Sequence, residues 1–213
     1  FAYATNYLID LDHAIIVDVE PSTAVRQAEV TAARTMIERA KSDIDDDSFY
    51  YLVWGWLVFA AALGHFFLMD RFAEFAWLPW AILMPLGGIA TMIYGIRQEK
   101  RRKSRSHAEV FLKYPLIAFV VCLMIVLVSM NKLGLYTYPM VILVYGMWLF
   151  VSGGVIRFKP LLVGGIINWV LAIVSLSVGF STQLLLLALA VLLGYIIPGH
   201  WLKMERNRIA DPA

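Results

Sequence analysis

Residues 49–69, FYYLVWGWLVFAAALGHFFLM, contain no Asp, Glu, Lys or Arg. At 1.5 Å of rise per residue, a helix of this length crosses a hydrocarbon core about 30 Å thick. Five further apolar runs follow, near Trp77 to Ile96, Tyr114 to Met130, Tyr138 to Ile156, Leu161 to Val178 and Gln183 to Leu202. A soluble core would be built from shorter runs broken by polar faces. Composition agrees: 61% hydrophobic and 16% charged residues, with a mean hydropathy of +0.71, leave too little polar surface to cover a globule. The expected fold is an all-α membrane protein with six transmembrane helices, in a domain covering residues 49–202.

Basic residues orient these helices. The first connection holds only Arg71, the third only Lys132, and the fifth, from Gly179 to Thr182, holds none. The second carries Arg97, Lys100, Arg101, Arg102, Lys103, Arg105 and Lys113, and the fourth carries Arg157 and Lys159. Arg34, Arg39 and Lys41 precede the first run, and Lys203, Arg206 and Arg208 follow the last, in the tail 203–213. Retention of cationic loops on the synthesis side then puts both termini in the cytoplasm. A missed or invented helix would scramble this alternation at every later connection. Phe49, Tyr50, Tyr51, Trp54, Trp77, Trp80, Tyr136, Tyr138 and Trp201 stand at run ends, where aromatic rings anchor the headgroup boundary. The region before Phe49 is charged and lacks the pattern of a signal peptide, so the helices themselves are expected to direct insertion into the inner membrane.

The same residues narrow the chemistry. Cys122 is the single cysteine, so neither an intrachain disulfide nor a cysteine-rich metal cluster is available. The formal net charge of +2 resides in connections beside apolar runs, where anionic lipid headgroups are the natural counter-charge. Nucleic acid is not an expected partner. Within the runs only His65 and His200 ionise near neutral pH, and they lie toward opposite ends of the helices, too far apart to share a metal ion. His65 reads as a neutral imidazole bonded to a neighbouring helix or to the outer interface, with a proton relay as the alternative. His200 reads as an interfacial residue after a helix-ending Pro198-Gly199. Asn168 is costly to leave unpaired in lipid and should either bond to another helix or line a small polar cavity, with Thr91, Ser129, Ser175 and Ser177 as minor donors. His65, Asn168 and His200 are thus the candidate polar intramembrane site. The basic segment Arg97, Lys100, Arg101, Arg102, Lys103 and Arg105 could hold a lipid headgroup or a cytoplasmic partner, although topology alone accounts for it. No carboxylate pair, activated serine, phosphate-cradling loop or metal-ligand spacing occurs in the runs, so no enzymatic activity, metal or cofactor is expected.

A faint echo links the two halves. Leu52-Val53-Trp54-Gly55 with Phe59 recurs as Leu143-Val144-Tyr145-Gly146 with Phe150, and Pro85 before Gly87-Gly88 resembles Pro160 before Gly164-Gly165. A three-plus-three repeat would be inverted, as in many transporters, and would need broken helices, for which Pro85 and Pro198-Gly199 are the available breakers. The plainer reading is that Gly87-Gly88, Ser152-Gly153-Gly154 and Gly164-Gly165 remove bulk so that neighbouring backbones approach.

Residues 1–40 obey soluble-protein rules. Tyr7 to Asp10 and Ala14 to Val19 read as two strands of a hairpin around Leu11-Asp12-His13. Pro21-Ser22 opens a helix expected from about Thr23 to Ser42, with Val25, Ala28, Ala32, Met36 and Ala40 along one face. An acidic linker, 41–48, is expected next. The segment from Tyr3 to Asp10 and on to Arg34-Thr35-Met36-Ile37-Glu38-Arg39 resembles the start of the catalytic domain of DDE-class insertion-sequence transposases. That resemblance implies an RNase H-like sheet whose first metal-binding acid would be Asp10. The other two acids and most of the sheet are absent, so two metal ions could not be clamped and Asp10 is a vestigial catalytic candidate only. A transposase label resting on these residues would describe an inactive remnant.

From Met36 to about Asn207 the chain resembles uncharacterised six-span bacterial membrane proteins, through Ser48-Phe49-Tyr50-Tyr51-Leu52-Val53-Trp54-Gly55-Trp56 and Tyr195-Ile196-Ile197-Pro198-Gly199-His200. The resemblance implies an inner-membrane location and a six-helix plan but no activity. Beginning at Phe1, the chain is expected to join a truncated transposase frame to a membrane protein near Ala40. Two functions are therefore expected. The first is a non-catalytic structural, regulatory or partner-binding module whose partners are the bilayer and either a cytoplasmic protein or a second copy. The second is a small transporter or channel of inverted three-helix repeats. A solvated cavity around Asn168 would favour transport, and a middle filled by Leu, Phe and Trp would favour the module.

Overall fold

The structure, a computed structural model, describes residues 3–10, 15–23, 26–99 and 107–210. The chain divides into two units, Phe1–Ser48 with Leu202–Ala213, and Phe49–Trp201.

In the first unit, β1 (Tyr3–Asp10) and β2 (Ile15–Thr23) form an antiparallel pair with a register shift between Leu8 and Ile9. Both strands are longer than the sequence reading, and β2 continues through Pro21-Ser22, where a helix was expected to open. Proline is tolerated there because a two-stranded sheet has only edge strands, on which an N–H need not pair. The Asn6 amide reinforces this end by donating to the Glu20 carbonyl at 3.2 Å and the Ser22 hydroxyl at 2.8 Å. The helix that follows, α1 (Arg26–Arg71), starts later than expected. Ala32 and Met36, on the expected face, are buried. The segment 41–48, read as a linker, is helical within α1, and it contains neither Gly nor Pro to break it.

The second unit is helical. After α1 and a short 3₁₀ turn (Ala73–Phe75) come α2 (Leu78–Glu99), α3 (His107–Val128), α4 (Met130–Leu133), a second 3₁₀ turn (Gly134–Tyr136), α5 (Thr137–Ile156), α6 (Lys159–Ser175), α7 (Phe180–Val191), a π-helical turn (Leu192–Ile196) and α8 (Ile197–Ala210). Among the described residues, five segments are long and apolar enough to cross a membrane: Ser48–Arg71, Ala73–Arg97, Phe111–Val128, Met130–Ile156 and Phe180–Glu205. A sixth apolar helix, Lys159–Ser175, has 17 residues. It corresponds to the run expected from Leu161 to Val178.

Burial is uneven among these helices. The core gathers Tyr51, Val58 and Ala62 of α1, Ile142, Tyr145 and Leu149 of α5, Leu161 and Ala172 of α6, Leu187 and Val191 of α7, and Tyr195. α3 contributes no buried residue between Phe111 and Val128 and rests on α5 through Phe119, whose ring lies 5.9 Å from Tyr145 and 5.4 Å from Trp148. α5 and α6 are joined by a tight turn. Phe158 N–H bonds the Gly153 carbonyl at 2.9 Å and Arg157 N–H the Gly154 carbonyl at 3.3 Å, with Arg157 left-handed at φ 55°. This is a Schellman closure, built on an arginine where glycine is the usual residue.

Neither expected helix breaker acts as one. α2 runs unbroken through Pro85, and the last helix continues past Pro198-Gly199 to Ala210. The π turn gives the physical reason for the second case. Pro198 has no N–H for the Gly194 carbonyl, and its ring crowds that carbonyl in an α-helix; widening the preceding turn, with Ile197 N–H bonding Leu192, relieves both problems. His200 accordingly lies inside a helix, with its side chain exposed.

Candidate functional site

His65 stands near the end of α1, where Gly64 lets α2 come close: a Cβ at Gly64 would lie 3.0 Å from the Pro79 ring. That contact seats Trp80, one residue later, on the imidazole. The indole N–H donates to His65 Nδ1 at 3.0 Å, and the Tyr138 hydroxyl of α5 lies 3.4 Å from the same nitrogen. Phe180, first residue of α7, completes the group with ring centroids 5.6 Å from His65 and 5.4 Å from Tyr138. Four helices thus meet at one half-buried ring. Because an indole N–H can only donate, Nδ1 carries the lone pair and Nε2 the hydrogen, so the ring is neutral in this arrangement. Trp80 and Tyr138, expected as headgroup anchors, are also hydrogen-bonding neighbours of His65.

Asn168 belongs to a separate environment. It is 0% exposed, and its Nδ2 donates to the Gly164 carbonyl of its own helix at 2.8 Å and to the Ala190 carbonyl of α7 at 3.1 Å. Gly194 in the π turn makes room for it, since a Cβ there would lie 2.6 Å from both Asn168 Nδ2 and Leu149 Cδ1. Asn168 Oδ1 has no hydrogen-bond partner among the described residues. Elsewhere on α7, Gln183 Nε2 donates at 3.0 Å to the carbonyl of Ser175, the last residue of α6, and at 3.2 Å to that of Val178 in the following turn. In the core, the Tyr195 ring packs 6.1 Å from Tyr51 and 5.6 Å from Tyr145.

The residues singled out by sequence therefore do not assemble into one site. His65 and Asn168 share no partner, and His200 is exposed on α8. Arg97 is exposed in the last turn of α2, while Lys100, Arg101, Arg102, Lys103 and Arg105 lie outside the described residues. Asp10 is the final residue of β1, paired with Ile15, and its side chain lies outside the described set. Among the described residues no group of three His, Cys, Asp or Glu could hold a metal ion. Phe180, Gln183 and Tyr195 are polar-site neighbours or buried polar groups to which the sequence assigns no role. A signal for the His65 group existed only through topology: His65 lies near the C-terminal end of its apolar run, and Trp80, Tyr138 and Phe180 lie near or just before the N-terminal ends of theirs, ends that the expected alternation puts on one side. No family model, curated protein or solved structure matches the chain.

Proposed function

We propose that this chain is a six-span inner-membrane protein with both termini in the cytoplasm, acting without catalysis as a structural or partner-binding module. α6 supplies the sixth span: 17 residues stand at the short end of what crosses a bilayer, and the Leu176-Ser177 turn adds length. Alternation of basic and uncharged connections supports the orientation. The transposase-like start contributes no chemistry in this reading.

The observation that favours a packed module over a transporter is the state of Asn168. A transport path would need this polar group turned toward a solvated cavity, yet it is fully buried with its amide committed to two backbone carbonyls. The continuity of α2 through Pro85 also removes one of the two broken helices that a transporter plan would use. Water accessibility tests the reading. With Cys122→Ser as background, a cysteine replacing Asn168 should stay unmodified by a water-soluble maleimide applied from either side of the membrane. Rapid modification of folded protein would establish a solvated path and favour transport.

A further inference from the structure

Two hydrogen-bonding groups converge on one nitrogen at His65, and only one of them can either donate or accept. The Trp80 indole always donates, whereas a tyrosine hydroxyl donates or accepts. A proton added at Nδ1 occupies the lone pair that Trp80 uses and sets N–H against N–H at 3.0 Å. The Tyr138 oxygen, 3.4 Å away, is positioned to accept that new N–H, and the Phe180 ring at 5.6 Å lies within cation–π range of the imidazolium. Other charged groups at this end are Asp70 and Arg71 on α1, Glu74 in the following turn and Lys132 on α4; all are exposed, and none bonds the imidazole. Among the described residues, the contacts to the imidazole from α5 and α7 are those of Tyr138 and Phe180.

We propose that His65 is a proton-operated latch: protonation at Nδ1 exchanges Trp80 for the Tyr138 hydroxyl and so removes the hydrogen bond that ties the start of α2 to α1. The proton comes from the adjoining aqueous phase, Nε2 keeps its hydrogen, and no other bond is made or broken. Toward the other end of α2 the two helices have a separate contact, the Phe49 and Tyr94 rings stacked at 3.8 Å, so the exchange acts on the start of α2 only. Which side of the membrane supplies the proton follows from the six-span reading; the exchange itself does not depend on it.

The test is NMR of the full chain in micelles, with indole ¹⁵N label and ¹⁵N-histidine, between about pH 8 and pH 5, where histidine ordinarily ionises. Trp80→Phe assigns the Trp80 signal. The Trp80 N–H resonance should move upfield with the same midpoint as the His65 ring nitrogens. In His65→Gln, whose amide oxygen accepts the indole at every pH, that movement should vanish. In Tyr138→Phe, which deletes the alternative acceptor and leaves the indole bond in place, Trp80 should stay bonded to lower pH. A Trp80 signal that is unchanged in the native chain, or one that titrates alike in the native chain and Tyr138→Phe, would overturn the latch. Should His65→Gln fail to fold, Tyr138→Phe alone decides.

Discussion

Gly87-Gly88 in α2 and Gly164-Gly165 in α6 read alike in sequence, but their surroundings differ. A Cβ at Gly88 would meet nothing within 4 Å, and one at Gly87 would meet the flexible end of Leu57 at 2.6 Å. A Cβ at Gly165 would strike backbone, the Gly146 carbonyl oxygen and the Phe150 nitrogen at 2.9 Å each, and one at Gly164 would lie 3.0 Å from the Gly194 Cα. The α6 pair therefore holds helices together backbone to backbone, while half of the α2 pair faces open space. α3 and most of α2 present apolar side chains outward, as lipid-facing helices do, whereas α5, α6 and α7 build the packed centre. Small residues show where a close approach is possible; a facing backbone makes it necessary.

Substitutions can break or sharpen this contrast, read as unfolding free energies of purified protein titrated with denaturing detergent. The largest effect is expected for Gly165→Ala, which forces α5 from α6 and should cost about 2–3 kcal/mol. Next, Arg157→Gly should stabilise the α5–α6 turn by about 1 kcal/mol, because glycine takes the left-handed conformation without strain. Asn168→Ala should cost roughly 0.6 kcal/mol, the average for hydrogen bonds between membrane helices, so steric overlap with backbone outranks the lost bond. Smallest, Gly88→Ala should be neutral or stabilise by about 0.5 kcal/mol through helix propensity. A loss at Gly88 equal to that at Gly165 would erase the distinction between the two regions.

Much of the helical plan was legible because run length and charge act locally. Arg97 and the uncharged Gly179 to Thr182 connection mark helix ends without knowledge of any neighbour. Pro198 was misread because proline stops a helix only when the preceding turn cannot widen, and the π turn at Leu192–Ile196 does widen. The strand through Pro21 was misread for a related reason: proline is excluded from a sheet interior, and this sheet has none. The His65 group depends on four helices meeting, and nothing in a linear pattern separates Trp80 as a headgroup anchor from Trp80 as a hydrogen-bond donor. Asn168 was legible as a residue needing a partner. Its choice of the Ala190 carbonyl depends on how α7 and Gly194 pack against α6.

The six-span account turns on α6, whose 17 residues make it the shortest of the proposed spans. Single cysteines introduced at Lys159 and at Gly179, in the Cys122→Ser background, bracket it. In intact cells an impermeant maleimide should modify the cysteine at 179 and leave the one at 159 unmodified until the membrane is opened. Modification of both from outside, or of neither, would place the two ends of α6 on one side and contradict the account.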